Sequence, residues 1–191
     1  ATFDSTNGKV VITYRDYPNS DSGTAIVGTV SGTSISFGSA VVFSSSPTYN
    51  ISSAFDSTNG KVVIAYQDNG NSTYGTAIVG TVSGTSISFG SPVVFNAAGT
   101  YQLTAIYDST NNKVVIAYQD AGNSSYGTAI VGTVSGDSIS FGSETIFNSG
   151  TTHDIGIAYD SANSKIIVAY DDASNNGYGK AKVGTVSGTS I

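Results

Sequence analysis

The chain has 191 residues, a net charge of −6 and only 10 % charged residues, against 39 % hydrophobic ones rich in strand formers. Seven cations, with Arg15 the single arginine, cannot build a basic footprint, so nucleic acid and anionic membrane surfaces are excluded as partners. Cysteine is absent, which excludes disulfides, thiolate metal sites and Cys nucleophiles, and no segment approaches the ~18 uninterrupted apolar residues of a membrane span.

Reading from Ala1, the first recognisable motif is Phe3-Asp4-Ser5-Thr6-Asn7-Gly8-Lys9-Val10-Val11-Ile12. It returns from Phe55, Tyr107 and Tyr159, each time 52 residues on. Val-Gly-Thr-Val-Ser-Gly follows the same period from Val27, Val79, Val131 and Val183, with no insertions. The chain is therefore one repeat domain over 1–191, with repeats at about 1–47 (partial), 48–99, 100–151 and 152–191 (partial). Ala1 reads as an internal or processed start.

Within one repeat the spacing predicts four strands. Strand a lies near Tyr101–Asp108, strand b near Lys113–Asp120, strand c near Tyr126–Val134 and strand d near Ser138–Phe147. Tight Asn/Gly and Ser-Gly turns join a to b and c to d. Lys61-Val62-Val63-Ile64-Ala65-Tyr66 is apolar on both faces of its strand, as a blade packed between two neighbours requires. Four short antiparallel strands per unit predict an all-β β-propeller. A β-solenoid or stacked array is the alternative.

Four full periods would need 208 residues, 17 more than the chain has. The reading is a fragment of a longer array, or a ring completed by self-association with another copy. In the fourth repeat Lys180 and Lys182 replace Thr76 and Ile78 on one face of strand c. Two readings stay open: a polar face ending the array, or lysines snorkelling at a rim.

In a meander, the a–b and c–d turns share one face and the b–c loops and d–a crossings share the other. The first face is nearly constant between repeats, with Asp4, Asp56, Asp108 and Asp160 opening each a–b turn. The second drifts where strand a begins and strand b ends. Tyr49-Asn50 becomes Tyr101-Gln102 and then His153-Asp154, while Arg15 becomes Gln67, Gln119 and Asp171. Amides and carboxylates beside aromatic rings suit a sugar, whose hydroxyls need polar partners and whose C–H face needs a ring. These ten residues form the candidate ligand site, for a glycan or a host-surface protein. Loop drift under weak constraint is the competing explanation.

Asp16, Asp68, Asp120 and Asp172 each stand three residues before an Asn and are weak Ca²⁺ candidates, with a turn-capping role as the alternative. No cofactor is expected. His153-Asp154 lacks any nucleophile motif and stands where other repeats have tyrosine, so no catalytic residues are assigned and the chain is not expected to be an enzyme. A sialidase-like site would need several arginines, against the one present.

The unit Asp-Ser-Thr-Asn-Gly-Lys-Val-Val-Ile-Ala-Tyr-Gln-Asp, followed by Gly-Thr-Val-Ser-Gly-Thr-Ser-Ile-Ser-Phe-Gly-Ser, resembles repeat arrays in uncharacterised virion, tail-associated or surface proteins of marine phages and bacteria. The resemblance covers essentially the whole chain. It implies an extracellular or virion-surface setting and a role in attachment or assembly, and supplies no catalytic residues.

Overall fold

A computed structural model describes residues Ala1–Ile191. The chain opens with β1 (Thr2–Asp4), β2 (Lys9–Asp16), β3 (Ser22–Ser31) and the short β4 (Ser34–Phe37). It then enters β5 (Val41–Asp56), followed by β6 (Lys61–Asp68), β7 (Tyr74–Ser83) and β8 (Ser86–Phe89). The same series recurs as β9 (Val93–Asp108), β10 (Lys113–Asp120), β11 (Tyr126–Ser135) and β12 (Ser138–Phe141). It closes with β13 (Thr145–Asp160), β14 (Lys165–Asp172) and β15 (Tyr178–Gly184). The strands form one antiparallel path, with β4, β8 and β12 as side branches on β3, β7 and β11.

Strands b and c form where their hydrophobic pattern places them. Strands a and d do not remain separate. The stretch predicted as strand d, Ser138–Phe147, breaks between Phe141 and Thr145. Its second part runs on into the next strand a as one 16-residue strand, β13, as also in β5 and β9. The early part of β9 pairs with β7, and Thr100–Asp108 pairs with β10. Each long strand thus hands the chain from one unit to the next.

The break in strand d coincides with a close contact from the next unit. The next unit's c–d turn presses a backbone carbonyl onto Gly38, Gly90 and Gly142 in turn. A Cβ on Gly90 would lie 1.9 Å from the Asp137 oxygen. Only a residue without a side chain admits that approach.

The core lies between units. In β6, Val62, Ile64 and Tyr66 face the first unit, while Val63 and Ala65 face the third. All five are at most 1 % exposed. Each such aliphatic side chain contributes up to about 1.5–3 kcal/mol by burial. Every junction also stacks a Phe of one unit on a Tyr of the next: Phe43 on Tyr66, Phe95 on Tyr118 and Phe147 on Tyr170, with centroids 5.2, 5.3 and 5.2 Å apart. Burial pushes the Tyr66 and Tyr118 hydroxyl pKa values upward, keeping both neutral.

The lysines of the fourth unit point inward along the array. Lys182 occupies the position of Ile78 and Ile130, which face the preceding unit, and it lines a crevice of about 170 Å³ with Ala129 and Phe147. The polar face of β15 is therefore turned toward the third unit. The opposite face stays apolar, with Val183 67 % exposed. Lys180 donates to Asp172 at 2.6 Å, which raises the lysine pKa and lowers that of the carboxyl.

Candidate functional site

The two ends of the sheet are built by different chemistry. At the constant end each a–b turn is fastened by its aspartate. Asp108 Oδ1 accepts from the backbone N–H of Thr110 and Asn111 at 3.0 and 3.1 Å, and its Oδ2 accepts from Asn111 Nδ2 at 2.8 Å. Asp4, Asp56 and Asp160 repeat the arrangement. Next to the turn, Lys9, Lys61 and Lys165 donate to Thr29, Thr81 and Thr185. This end is spent on turn closure.

At the other end, antiparallel register places Tyr49 opposite Gln67, Tyr101 opposite Gln119 and His153 opposite Asp171. The residues that drift together in sequence are thus cross-strand neighbours. The next residue in each strand a has left-handed backbone: Asn50 at φ 46°, Gln102 at φ 53° and Asp154 at φ 48°. Register slips there in all three strands. The bulge lifts the side chains of Asn50, Gln102 and Asp154 into solvent.

The amides of strand b behave otherwise. Gln67 and Gln119 are 6 % and 7 % exposed. Gln67 accepts from Asn50 Nδ2 at 2.6 Å and donates to Asn69 Oδ1 at 2.9 Å. Gln119 donates to the Thr152 carbonyl of the next unit at 2.8 Å. These two serve the sheet and orient their neighbours rather than reaching outward.

In the first unit Arg15 is exposed. Its guanidinium lies 4.9 Å from the Tyr49 ring centroid and 6.0 Å from that of Tyr17, with Nε 3.2 Å from Asp21 Oδ1. Arg15, Tyr49 and Asn50 border an open groove of about 340 Å³. Tyr17 and Asp21 were not among the expected site residues. Their signal was the aberrant first b–c loop, Tyr17-Pro18, which breaks the pattern of the other repeats. In the fourth unit, covered Asp171 Oδ1 lacks a hydrogen-bond partner.

Asp16, Asp68, Asp120 and Asp172 open the b–c turns. Asp68 and Asp120 accept from the N–H of Gly70 and Gly122 at 3.0 and 2.9 Å, and Asp172 is engaged by Lys180. Asp16 makes no such side-chain cap. No three His, Asp or Glu side chains gather where an ion could be shared.

The bulges come at an energetic cost. A left-handed residue with a long side chain costs roughly 1 kcal/mol relative to glycine. Gln102→Gly should therefore raise stability by about 1 kcal/mol in urea unfolding, and should remove whatever affinity Gln102 supplies. An unchanged or lowered midpoint would show that the bulge is not strained.

No protein-family model matches the chain, and no curated protein matches its sequence. Among solved structures it is similar to the leech intramolecular trans-sialidase complexed with 2,7-anhydro-Neu5Ac, with a TM-score of 0.62 and 12 % identity. The match covers 96 % of this chain and 30 % of that one, so the chain spans less than a third of its structural neighbour. At this identity the likeness concerns the fold alone: an all-β antiparallel repeat similar to a portion of a sialidase propeller.

Proposed function

We propose that the chain is a non-catalytic binding module, a run of propeller blades in a larger or oligomer-completed ring. Its variable end recognises a glycan at a virion or cell surface. One observation carries the reading. Three successive units raise Asn50, Gln102 and Asp154 on left-handed bulges beside Tyr49, Tyr101 and His153. Non-glycine residues held at positive φ persist where surrounding structure imposes them, and such positions cluster at ligand clamps. The exposed amides and carboxylate, with the half-buried phenols and imidazole beside them, are groups that bond hydroxyls and stack on C–H faces. The surface setting rests on the resemblance of the repeat to virion-associated arrays.

A second reading has its own observation. Gln67 and Gln119 are buried and bonded within the sheet, so part of the drift serves packing, as in a purely structural repeat. Screening the chain on a glycan array separates the two. The binding reading expects a defined set of retained glycans, and the structural reading expects none.

A further inference from the structure

Charge is divided unevenly between the two ends of the strands. Lys9, Lys61, Lys113 and Lys165 open the b strands and so stand at the constant end. Lys182 lines the crevice beside Phe147. At the variable end the cations are Arg15 and Lys180, and each already has a carboxylate. Arg15 Nε lies 3.2 Å from Asp21 Oδ1, and Lys180 Nζ lies 2.6 Å from Asp172 Oδ2. No free cation is left at this end to meet an anionic ligand.

The two middle units show what the end does offer. Each has a unit on either side, and Ser52 Oγ accepts from the Ala105 N–H at 3.0 Å, which holds β5 beside β9. The bulged stretches Thr48–Ile51 and Thr100–Leu103 carry no carboxylate, ammonium or guanidinium. The aspartates beneath them are committed to the b–c turns: Asp68 Oδ1 accepts from Gly70 N–H, and Asp120 Oδ1 from Gly122 N–H and Asn96 Nδ2. Asn50 Nδ2 donates to Gln67 Oε1 at 2.6 Å, so its Oδ1 is left to accept from a hydroxyl. The Gln102 amide stands in solvent and can both donate and accept.

We infer that the ligand of this end is an uncharged glycan, and that glycans bearing carboxylate or sulfate are rejected. The inference rests on the glycan reading above and adds the charge class. A sugar hydroxyl exchanges water for an amide at little cost, and its C–H face packs on a phenol ring. A carboxylate or sulfate set down on the same amides and rings loses its hydration and gains no opposite charge. The net charge of −6 repels such a ligand from further away. Ammonium-bearing sugars gain nothing either, since the middle units present no uncommitted carboxylate at their bulges.

A glycan array that pairs each uncharged glycan with its carboxylated, sulfated and amino counterparts tests this with the wild-type chain. The uncharged member of a pair should be retained, and its charged counterparts should bind at least about tenfold more weakly. Affinity for the uncharged glycan should change by less than about twofold between about 0.05 and 0.5 M salt, because no ion pair is there to be screened. Gln102→Lys, checked for folding by circular dichroism, should strengthen binding of the acidic counterparts by about tenfold. Charged glycans retained as well as uncharged ones, or an affinity that falls steeply with salt, would overturn the charge assignment and leave the glycan reading standing. A folded Gln102→Lys chain that rejects acidic glycans as the wild type does would also overturn it. An array on which nothing is retained would overturn both.

Discussion

Gly90→Ala is expected to cost about 3 kcal/mol and to weaken the molecule between its second and third units. The added methyl would lie 1.9 Å from the Asp137 carbonyl oxygen and 2.9 Å from its carbonyl carbon. Both belong to a backbone turn, which cannot swing aside as a flexible side chain would. Gly90 N–H also donates to the Val79 carbonyl at 2.9 Å, so a shift of Gly90 loosens its own unit as well. Stability in a repeat array is a sum of unit terms and junction terms. Damage at one junction therefore lowers the unfolding midpoint and separates the two halves into distinct transitions. Urea unfolding followed by far-UV and near-UV circular dichroism measures both. A single transition at the wild-type midpoint would mean that the close approach is not needed. Gly38 and Gly142 stand at the equivalent junctions and should behave alike.

Asp108→Ala is the second large effect. The carboxylate is fully buried and accepts three hydrogen bonds within its turn. A hydrogen bond to a charged group is worth about 1.5–3 kcal/mol, and unpaired donors left beneath the turn add their own desolvation. The expected loss is about 3 kcal/mol. Asp108→Asn keeps one acceptor oxygen but sets an amide against Asn111 Nδ2, and should lose about half as much. The contrast between the variants, read from chemical denaturation, assigns the effect to the carboxylate rather than to the turn sequence. Equal small losses from both would contradict it.

Much of this arrangement was legible in the residues. The exact repetition fixes the unit, and the two-faced apolar run Val62–Tyr66 announces a strand covered on both sides. Strand b fell where expected because its turns are closed by Asp and by Asn or Gly, whose chemistry is local. Strand d was not legible in the same way. Its break at Gly142 depends on a carbonyl from a unit 47 residues later, Thr189, and nothing local marks it. Its fusion with strand a depends on a bulge, not on a turn, so no turn residues signal it.

The candidate site divides along the same line. The pairing of Tyr49 with Gln67 and of Tyr101 with Gln119 follows from counting through a hairpin. Which member reaches solvent does not. Gln67 and Gln119 turn into the sheet, whereas Asn50, Gln102 and Asp154 turn out, because a one-residue bulge reverses the alternation. Only Asn50 and Asp154 are residue types at ease with positive φ, so Gln102 carries no sequence signal for it. The direction of Lys182 was hidden for a related reason. Its face is set by the register of β15 against β14, where Val168 pairs with Lys182.

The most direct test of the binding account compares the wild-type chain with Tyr101→Ala/Gln102→Ala on the same glycan array, with Thr58→Ala at the constant end as the control. The two side chains stand at the centre of the variable end, and removing a central aromatic and its polar neighbour costs roughly 3 kcal/mol in a small interface. The account predicts that the wild type and Thr58→Ala retain the same glycans, and that the double variant loses them by about 100-fold. A double variant that binds as the wild type does, or a wild-type chain that retains no glycan, would contradict it.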